Sequence, residues 1–288
     1  MEIIRAEILG FCFGVRRAVE IANKALDENK EKKVYSLGPL IHNEAALKNL
    51  EEKGLLIAEE DKIDEIENSS IVIIRAHGIA PSVIAKLTEK TCQILDATCP
   101  RVKNSQRMVE KYTQQKDFII FSGDKNHGEV KGIEGYADKN FVLLQNSFET
   151  EFFVKVAPKN KSVLLLSQTT FSTDEFEKIS TLLKNKYPDI QIENTICPAT
   201  KERQDALRKL CENVEGILVI GGRNSANTQR LYQIATENCN LAAHIQSEND
   251  IPKEFFTLDS VGITAGASTP DEIIDRVEVF LKMHKECK

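Results

Sequence analysis

Three cysteines divide this chain into similar segments. Cys12, Cys99 and Cys197 recur at intervals of roughly 90 to 100 residues, and an amphipathic stretch follows each of them. Pro100 and Pro198 directly follow two of these cysteines, at the place where a helix tolerates the missing N–H of proline. The spacing therefore predicts three copies of one unit, each with a cysteine at the start of a helix.

The stretches between the cysteines alternate between short apolar runs and longer amphipathic ones. The apolar runs predict buried strands at 71–76, 117–123, 162–168, 216–222 and 260–266. Apolar residues three and four apart predict helices at 15–29, 45–53, 101–115, 173–186 and 201–213. This alternation is typical of an α/β protein with largely parallel sheets.

Each unit repeats two polar turns after its predicted strands. A glycine is followed four and six residues later by polar side chains: Gly38 by His42 and Glu44, Gly123 by His127 and Glu129, Gly221 by Ser225 and Asn227. A second turn contains His77 in the first unit, Thr169 and Thr170 in the second, and Ser268 in the third. Ligands of open α/β sheets bind at such strand ends.

These repeats predict three similar α/β lobes around a pseudo-threefold axis, with the repeated turns facing the centre. The expected lobes are residues 13–97, 98–196 and 197–288, and an N-terminal strand over 1–12 is expected to complete the third lobe.

Charge, apolar runs and cysteine spacing exclude several classes of function. The net charge of -6 provides no global positive field for nucleic acid. Charged residues interrupt the N-terminal apolar run and no run is long enough to span a membrane, so we expect a cytoplasmic protein. The seven cysteines contain no C-x-x-C pair, so any metal site must be assembled from distant segments.

If the three lobes face one centre, three thiolates meet there and leave one coordination position of a metal centre open. Zinc is one possibility. A [4Fe–4S] cluster with one unligated iron is favoured, because helix starts place thiolates near backbone N–H groups. The surrounding imidazoles, hydroxyls and amide suit an anion such as a diphosphate, to which Arg5, Arg75 and Arg223 would add charge if they face inward.

The chain resembles the IspH/LytB family, 4-hydroxy-3-methylbut-2-enyl diphosphate reductases. The resemblance covers nearly the whole chain and is carried by motifs in the family's order: GFCFGVRRAV, GPLIHN, AHG, DATCP, GDKNHGEVKG, SQTT, ICPAT, GGRNSANTQRL and GITAGASTP.

The resemblance implies a trilobed enzyme whose [4Fe–4S] cluster is held by Cys12, Cys99 and Cys197, with the substrate alcohol on the fourth iron. It implies that Glu129 supplies the proton, that Thr169 orients the hydroxyl, and that a ferredoxin or flavodoxin delivers two electrons, giving isopentenyl and dimethylallyl diphosphates. The implied diphosphate site comprises His42, His77, His127, Ser225, Ala226, Asn227 and Ser268.

Two positions depart from the family pattern. Gly128 stands where the family commonly has Pro, and is expected to loosen the loop that presents Glu129. Ala226 stands where the family commonly has Ser, which leaves only a backbone N–H for the diphosphate.

Other interpretations of the same residues stay open. A non-catalytic iron–sulfur or zinc sensor, or a zinc-dependent phosphoester hydrolase, would also use the three cysteines. Glu129 is alternatively an ion-pair partner of Lys125 or Lys131, and the hydroxyl residues are alternatively turn or N-cap residues. Glu44 is not expected to be catalytic, and no role is expected for His244 and His284. Cys92, Cys211, Cys239 and Cys287 are expected to be buried small apolar residues.

Overall fold

A computed structural model describes residues 1–285, so Cys287 lies outside the described residues. Strands and helices alternate along the described chain, as the apolar pattern predicts. The strands are β1 (Glu2–Arg5), β2 (Val34–Leu37), β3 (Leu55–Ala58), β4 (Ile71–Ile74), β5 (Gln93–Asp96), β6 (Phe118–Ser122), β7 (Phe141–Leu144), β8 (Val163–Ser167), β9 (Gln191–Ile192), β10 (Gly216–Ile220), β11 (Leu241–Ile245) and β12 (Ser260–Ala265). The helices are α1 (Phe13–Glu28), α2 (Glu44–Glu52), α3 (Pro81–Glu89), α4 (Pro100–Tyr112), α5 (Gly128–Ala137), α6 (Ser147–Val156), α7 (Thr173–Lys186), α8 (Pro198–Cys211), α9 (Ala226–Asn238) and α10 (Asp271–Lys285). Short 3-10 helices lie at Glu60–Glu65, Asp138–Asn140, Glu248–Asp250 and Lys253–Thr257.

The strands form three parallel four-stranded sheets with one shared pattern. Their orders are β3-β2-β4-β5, β7-β6-β8-β9 and β11-β10-β12-β1. In each sheet the first strand of the repeat pairs with both the second and the third, and a fourth strand extends the edge beyond the third. This confirms the prediction of three similar α/β lobes with parallel sheets.

The third sheet obtains its edge strand from the beginning of the chain. Strand β1 pairs in parallel with β12, with Ile3 opposite Val261. The strand expected over 1–12 is shorter, since β1 ends at Arg5 and Gly10 has a φ of +75°, which a strand does not adopt. Each of the other two sheets takes all its strands from within one predicted lobe, 13–97 or 98–196.

The predicted strands and helices are confirmed to within a few residues. Helix α4 begins at Pro100 with Cys99 as its N-cap residue, and α8 begins at Pro198. Strands β3, β7 and β11 were not predicted from the sequence, and most of their residues are only partly buried. Half-buried segments of four or five residues give a weak periodic signal, whereas the fully buried β8 and β10 give a strong one.

The chain forms two compact units. Unit 1 comprises Met1–Arg16, Ile41–Lys53 and Pro198–Lys288, and unit 2 comprises Arg17–Leu40 and Gly54–Cys197. Of unit 1, residues up to 285 are described.

In unit 1, both faces of the sheet are covered. Leu218 and Ile220 of β10 pack on one side with Val277 of α10, while Ile217 and Val219 pack on the other with α8 and α9. Successive residues of a strand point to opposite faces, so an apolar run such as GILVI fits a strand covered on both faces.

Unit 2 holds the other two sheets. Ile120 of β6 packs with α7, whereas Ile119 and Phe121 pack with α4 and α5. In the first sheet, Leu37, Val72 and Ile74 pack against α3 and the 60–65 segment. Within residues 1–285, none of the helices has both the length and the apolar character needed to cross a lipid bilayer.

Candidate functional site

Each of the three repeated cysteines is tied by its backbone to the end of a strand. The N–H of Cys99 donates to the carbonyl of Ala76 at 2.9 Å, and that of Cys197 donates to Thr169 at 2.8 Å. In unit 1, the N–H of Cys12 donates to Ala267 at 3.0 Å. The same bond thus fixes the start of the helix that follows each cysteine.

This repeated bond also aligns the polar turns. The residues after the three accepting carbonyls are His77, Thr170 and Ser268. The structural equivalent of His77 and Ser268 is therefore Thr170, and Thr169 lies one residue earlier. The Thr170 hydroxyl accepts a hydrogen bond from Gln168 Nε2 at 2.7 Å.

The glycine turns repeat as well. The N–H groups of Gly38, Gly123 and Gly221 each donate to the carbonyl of the residue that ends the neighbouring strand, at 2.7, 3.3 and 2.9 Å. Gly38 has a φ of +73°, which glycine adopts without strain. These turns start the segments that carry the histidines and Asn227.

Glu129 lies in unit 2 in the first turn of α5 and is fully buried. Its two carboxylate oxygens accept hydrogen bonds from Thr169, one from the backbone N–H at 2.9 Å and one from Oγ1 at 2.6 Å. Burial disfavours the charged form and raises the pKa of Glu129 to about 7, against the opposing effect of the Thr169 hydrogen bonds. The acid is therefore poised to donate a proton near neutral pH.

The alternative interpretation of Glu129 as an ion-pair partner of Lys125 or Lys131 does not hold. Both oxygens of its carboxylate accept hydrogen bonds from Thr169 instead.

Two histidines lie next to this acid. The rings of His77 and His127 meet edge to face, with centroids 4.9 Å apart. His127 Nδ1 accepts the backbone N–H of Glu129 at 3.2 Å. In the neutral ring this bond places the proton on Nε2, so His127 can offer a donor to an anionic ligand.

In unit 2 these contacts connect all the predicted site residues. Cys99 bonds to the residue before His77, His77 contacts His127, Glu129 bonds to Thr169, and Thr169 accepts from Cys197. Two thiols, two imidazoles, a hydroxyl and a buried carboxyl group thus lie along one connected set of strand-end turns.

Unit 1 carries Cys12 together with His42, Ser225, Ala226, Asn227 and Ser268. The hydroxyl of Ser268 donates to the carbonyl of His42 at 3.1 Å. Gly222 lies so close that a Cβ there would stand 2.3 Å from the same carbonyl oxygen. The His42 turn, the glycine turn and the Ser268 turn of this unit are therefore in contact.

Asn227 shows the clearest sign of a ligand in unit 1. Its side chain is buried, and within residues 1–285 its Nδ2 has no hydrogen-bond partner. A buried amide donor without a partner costs free energy unless a ligand or water accepts from it. Ser225 is the N-cap of α9 and accepts from Thr228 N–H at 3.3 Å, so the N-cap interpretation holds for it and its own proton can still be donated.

Two arginines that were not predicted to belong to the site bind the backbone just before two of the cysteines. In unit 2, Arg17 donates to the carbonyls of Thr98 and Asp96, at 3.2 and 3.1 Å, just before Cys99. In unit 1, the buried Arg203 donates to the carbonyl of Gly10 at 2.8 Å, just before Cys12. In the sequence, the feature that could have pointed to these arginines is their position five or six residues after a repeated cysteine.

The three arginines considered for the anion site differ. Arg5 forms ion pairs with Asp275 and Glu278. Arg223 donates to Gln246 in an exposed position. Only Arg75, with a side chain 11% exposed, lies among the buried strand ends, where it pairs with Glu60.

The residues expected to have no role are placed as follows. Cys211 is buried, but Cys92 and Cys239 are only partly buried, because their sulfurs lie near backbone carbonyls at the edge of the apolar clusters. His244 and His284 each hydrogen-bond to a backbone carbonyl, and Glu44 is exposed in the first turn of α2.

Cysteines at helix starts, tied to the same strand-end turns as a buried carboxyl group with a pKa near neutrality, indicate the active site of an α/β enzyme. The chain belongs to the LytB protein family, whose model matches residues 3–282.

Relatives and solved structures agree with this family. A Treponema denticola protein named 4-hydroxy-3-methylbut-2-enyl diphosphate reductase is 44% identical over 284 residues, which is 96% of this chain and 98% of the relative. The structure of E-1-hydroxy-2-methyl-but-2-enyl-4-diphosphate reductase from Plasmodium falciparum superposes with a TM-score of 0.90 at 28% identity, covering 98% of this chain and 87% of that one.

A second solved structure is described as (E)-4-hydroxy-3-methyl-but-2-enyl diphosphate reductase, the terminal enzyme of the non-mevalonate pathway. It gives a TM-score of 0.72 at 36% identity and covers 98% of this chain and all of that one.

The titration of Glu129 should appear in the stability of the protein. Because its pKa is raised from 4.5 to about 7, the folded state holds one more proton than the unfolded state between these values, and stability is lost as pH rises through this window. Glu129→Gln removes this contribution. The wild type should therefore lose roughly 2 to 3 kcal/mol relative to the variant between pH 4.5 and 7.5 in denaturant unfolding. Parallel pH profiles of the two proteins would contradict a raised pKa.

Proposed function

We propose that this enzyme removes the hydroxyl group of (E)-4-hydroxy-3-methylbut-2-enyl diphosphate reductively, giving isopentenyl and dimethylallyl diphosphates at the end of the non-mevalonate route to isoprenoid precursors. The single observation that carries the proposal is the fully buried Glu129, held by Thr169 next to the turn that binds Cys197. The family and the names of its relatives identify the substrate class.

The reaction sets the requirements for the site. Two electrons and two protons convert the allylic alcohol into the alkene and one water molecule, as the C–O bond breaks and a C–H bond forms. The family consists of iron–sulfur enzymes. When bound, an iron–sulfur cluster supplies the electrons and a Lewis-acidic iron for the hydroxyl oxygen.

The cysteines present fit such a cluster. None of the six cysteines within residues 1–285 is in a disulfide, and Cys12, Cys99 and Cys197 are each partly exposed. Cys99 is an N-cap residue whose sulfur does not cap its helix. Thiolates at helix starts are the usual ligands of iron–sulfur clusters. Cys12, Cys99 and Cys197 would hold one [4Fe–4S] cluster with one iron left for the substrate.

Glu129 and Thr169 would handle the proton. The Thr169 hydroxyl donates to Glu129, so its oxygen remains able to accept from the substrate hydroxyl and orient it. Protonated Glu129 would then release its proton towards the leaving hydroxide, because it is poised near neutral pH. Water leaves without a high-energy hydroxide ion.

The diphosphate would lie among His42, His77, His127, Ser225, Asn227 and Ser268, with the backbone of Ala226. The unpartnered Nδ2 of Asn227 and the Nε2 proton of His127 are donors of the kind that a diphosphate accepts. Neutral donors position the anion without the desolvation of a charged lysine.

A small one-electron carrier, a ferredoxin or a flavodoxin, would deliver the electrons in the cytoplasm. The comparison of turnover with each reduced carrier, matched in concentration and potential, identifies the donor. This part of the proposal would be overturned if neither reduced carrier supported turnover by protein that is active with dithionite.

The direct test is anaerobic turnover. Protein purified without oxygen should contain about four irons per chain and convert the allylic diphosphate to both products when dithionite and a viologen are supplied. A cluster-loaded preparation without turnover would support the sensor alternative. Colourless, zinc-containing protein that releases phosphate would support the hydrolase alternative.

Glu129→Gln should retain the cluster spectrum and substrate binding but lower kcat by ~100-fold or more, because the amide cannot donate the acid proton. Thr113→Val is the control, since the Thr113 hydroxyl donates to the carbonyl of Ala137 at the far end of α5, away from Glu129. An unchanged kcat in Glu129→Gln would show that another group supplies the proton.

Cys197→Ser should reduce the iron content to well below that of the wild type, because a serine oxygen is a poor ligand for iron–sulfur clusters. Cys92→Ser is the control, as the Cys92 sulfur lies near the carbonyls of Glu67 and Lys90 and not at a strand-end turn of the repeat. Equal iron and sulfide content in both variants would contradict the ligand assignment.

A further inference from the structure

Arg75 occupies an unusual place in unit 2. It follows β4, two residues before His77, and its side chain is only 11% exposed. Its Nη2 donates to Glu60 at 2.6 Å, whereas its Nε is buried and has no hydrogen-bond partner within residues 1–285. An incompletely bonded buried guanidinium costs free energy, so its position calls for a compensating role.

The guanidinium fills the space between two turns. A Cβ on Gly38 would stand 2.4 Å from Nη1, and a Cβ on Gly128 would stand 3.0 Å from Nη2 and 3.1 Å from Cζ. Gly128 lies between His127 and Glu129, at the first position of α5. The flat guanidinium therefore lies directly against the backbone that presents the histidine and the acid.

This contact changes the interpretation of Gly128. Family members commonly have Pro at this position, and the glycine was expected to loosen the turn. A proline ring would stiffen the backbone and is well tolerated at the first position of a helix. Here a Cβ at position 128 would stand closer to the guanidinium than Cβ atoms usually approach their neighbours, so a side chain there would require Arg75 to shift, whereas the glycine leaves it in place.

We propose that Arg75 is a positioning residue for the proposed reaction: its guanidinium packs against Gly128 and holds the His127–Glu129 turn in place, as a proline at position 128 would do through its ring. The expected effect of Arg75 on catalysis rests on the proposed function. The fixed turn itself is a property of the protein without substrate.

Three features make Arg, and not Lys, suited to this role. The guanidinium is planar and fits between two backbone turns, it carries several donors, and its pairing with Glu60 anchors it at one end. A lysine would keep the charge for Glu60 but has no flat group to fill the space beside Gly38 and Gly128. We therefore expect the shape of the Arg75 guanidinium, and not its charge alone, to hold the turn.

The decisive experiment is a double-mutant cycle between positions 75 and 128, read by amide hydrogen exchange of the cluster-containing protein. The amides of Glu129 and Lys131 report on the turn, because both donate to His127. Arg75→Ala should raise their exchange rates by ~10-fold or more, since the turn loses its support. Gly128→Pro in the presence of Arg75 should also raise them, because the ring displaces the guanidinium. The double variant Arg75→Ala/Gly128→Pro should return towards the wild-type rate.

The same four proteins should show the same pattern in kcat at saturating substrate, with a ~10-fold or larger loss in each single variant and partial recovery in the double variant. Arg5→Ala is the matched control, an arginine at a strand end whose partners are Asp275 and Glu278, and it should leave the exchange at Glu129 unchanged. Arg75→Lys should behave like Arg75→Ala, and it replaces that variant if Arg75→Ala does not fold.

Additive effects of the two substitutions, or wild-type exchange in both Arg75 variants, would overturn the inference. The exchange measurement needs no turnover. A wild-type protein without reductase activity would therefore refute the proposed function while the exchange data still decide the role of Arg75.

Discussion

One backbone hydrogen bond, used three times, sets the positions on which the proposed chemistry depends. The N–H of each repeated cysteine donates to a carbonyl two residues beyond the end of β4, β8 or β12. The bond links the start of a helix to a strand that is buried on both faces and therefore rigid. It also fixes the next residue, His77, Thr170 or Ser268, beside the cysteine. In the proposed function, the same peptide group would thus hold a cysteine ligand of the cluster and the neighbouring polar turn.

The buried acid shows how this scaffold controls reactivity. Glu129 is removed from water by the close packing of α5, and the only groups that bond to its carboxyl oxygens within the described residues belong to Thr169. The loss of hydration raises its pKa, and the Thr169 bonds limit the rise. Since the carbonyl of Thr169 accepts from Cys197, the residue that tunes the acid also belongs to the turn that presents a cysteine.

Much of the fold was predictable because its strongest signals are local. Fully buried strands such as β8 and β10 appear as continuous apolar runs, and the prolines after Cys99 and Cys197 mark helix starts. The repeated offsets predicted that His77, His127 and Glu129 lie in neighbouring strand-end turns, and the structure brings the three residues into contact. The contacts of Arg17 and Arg75 were beyond such reasoning, because they are made with carbonyls and turns that are distant in sequence. The contact between Gly128 and Arg75 could not be predicted for the same reason, since the two residues are 53 positions apart in the sequence.

The pairing of β1 with β12 has a consequence for how the protein matures. During synthesis the first strand emerges at once, but its partner follows more than 250 residues later. Such long-range pairing is slow because a large loop must close before any contact forms. Cys12, which bonds to Ala267 beside that pairing, cannot reach its final position until almost the entire polypeptide has left the ribosome. The proposed cluster, with Cys12 among its ligands, would therefore be inserted only after the chain is nearly complete, and a nascent chain truncated before β12 would lack the Cys12 site.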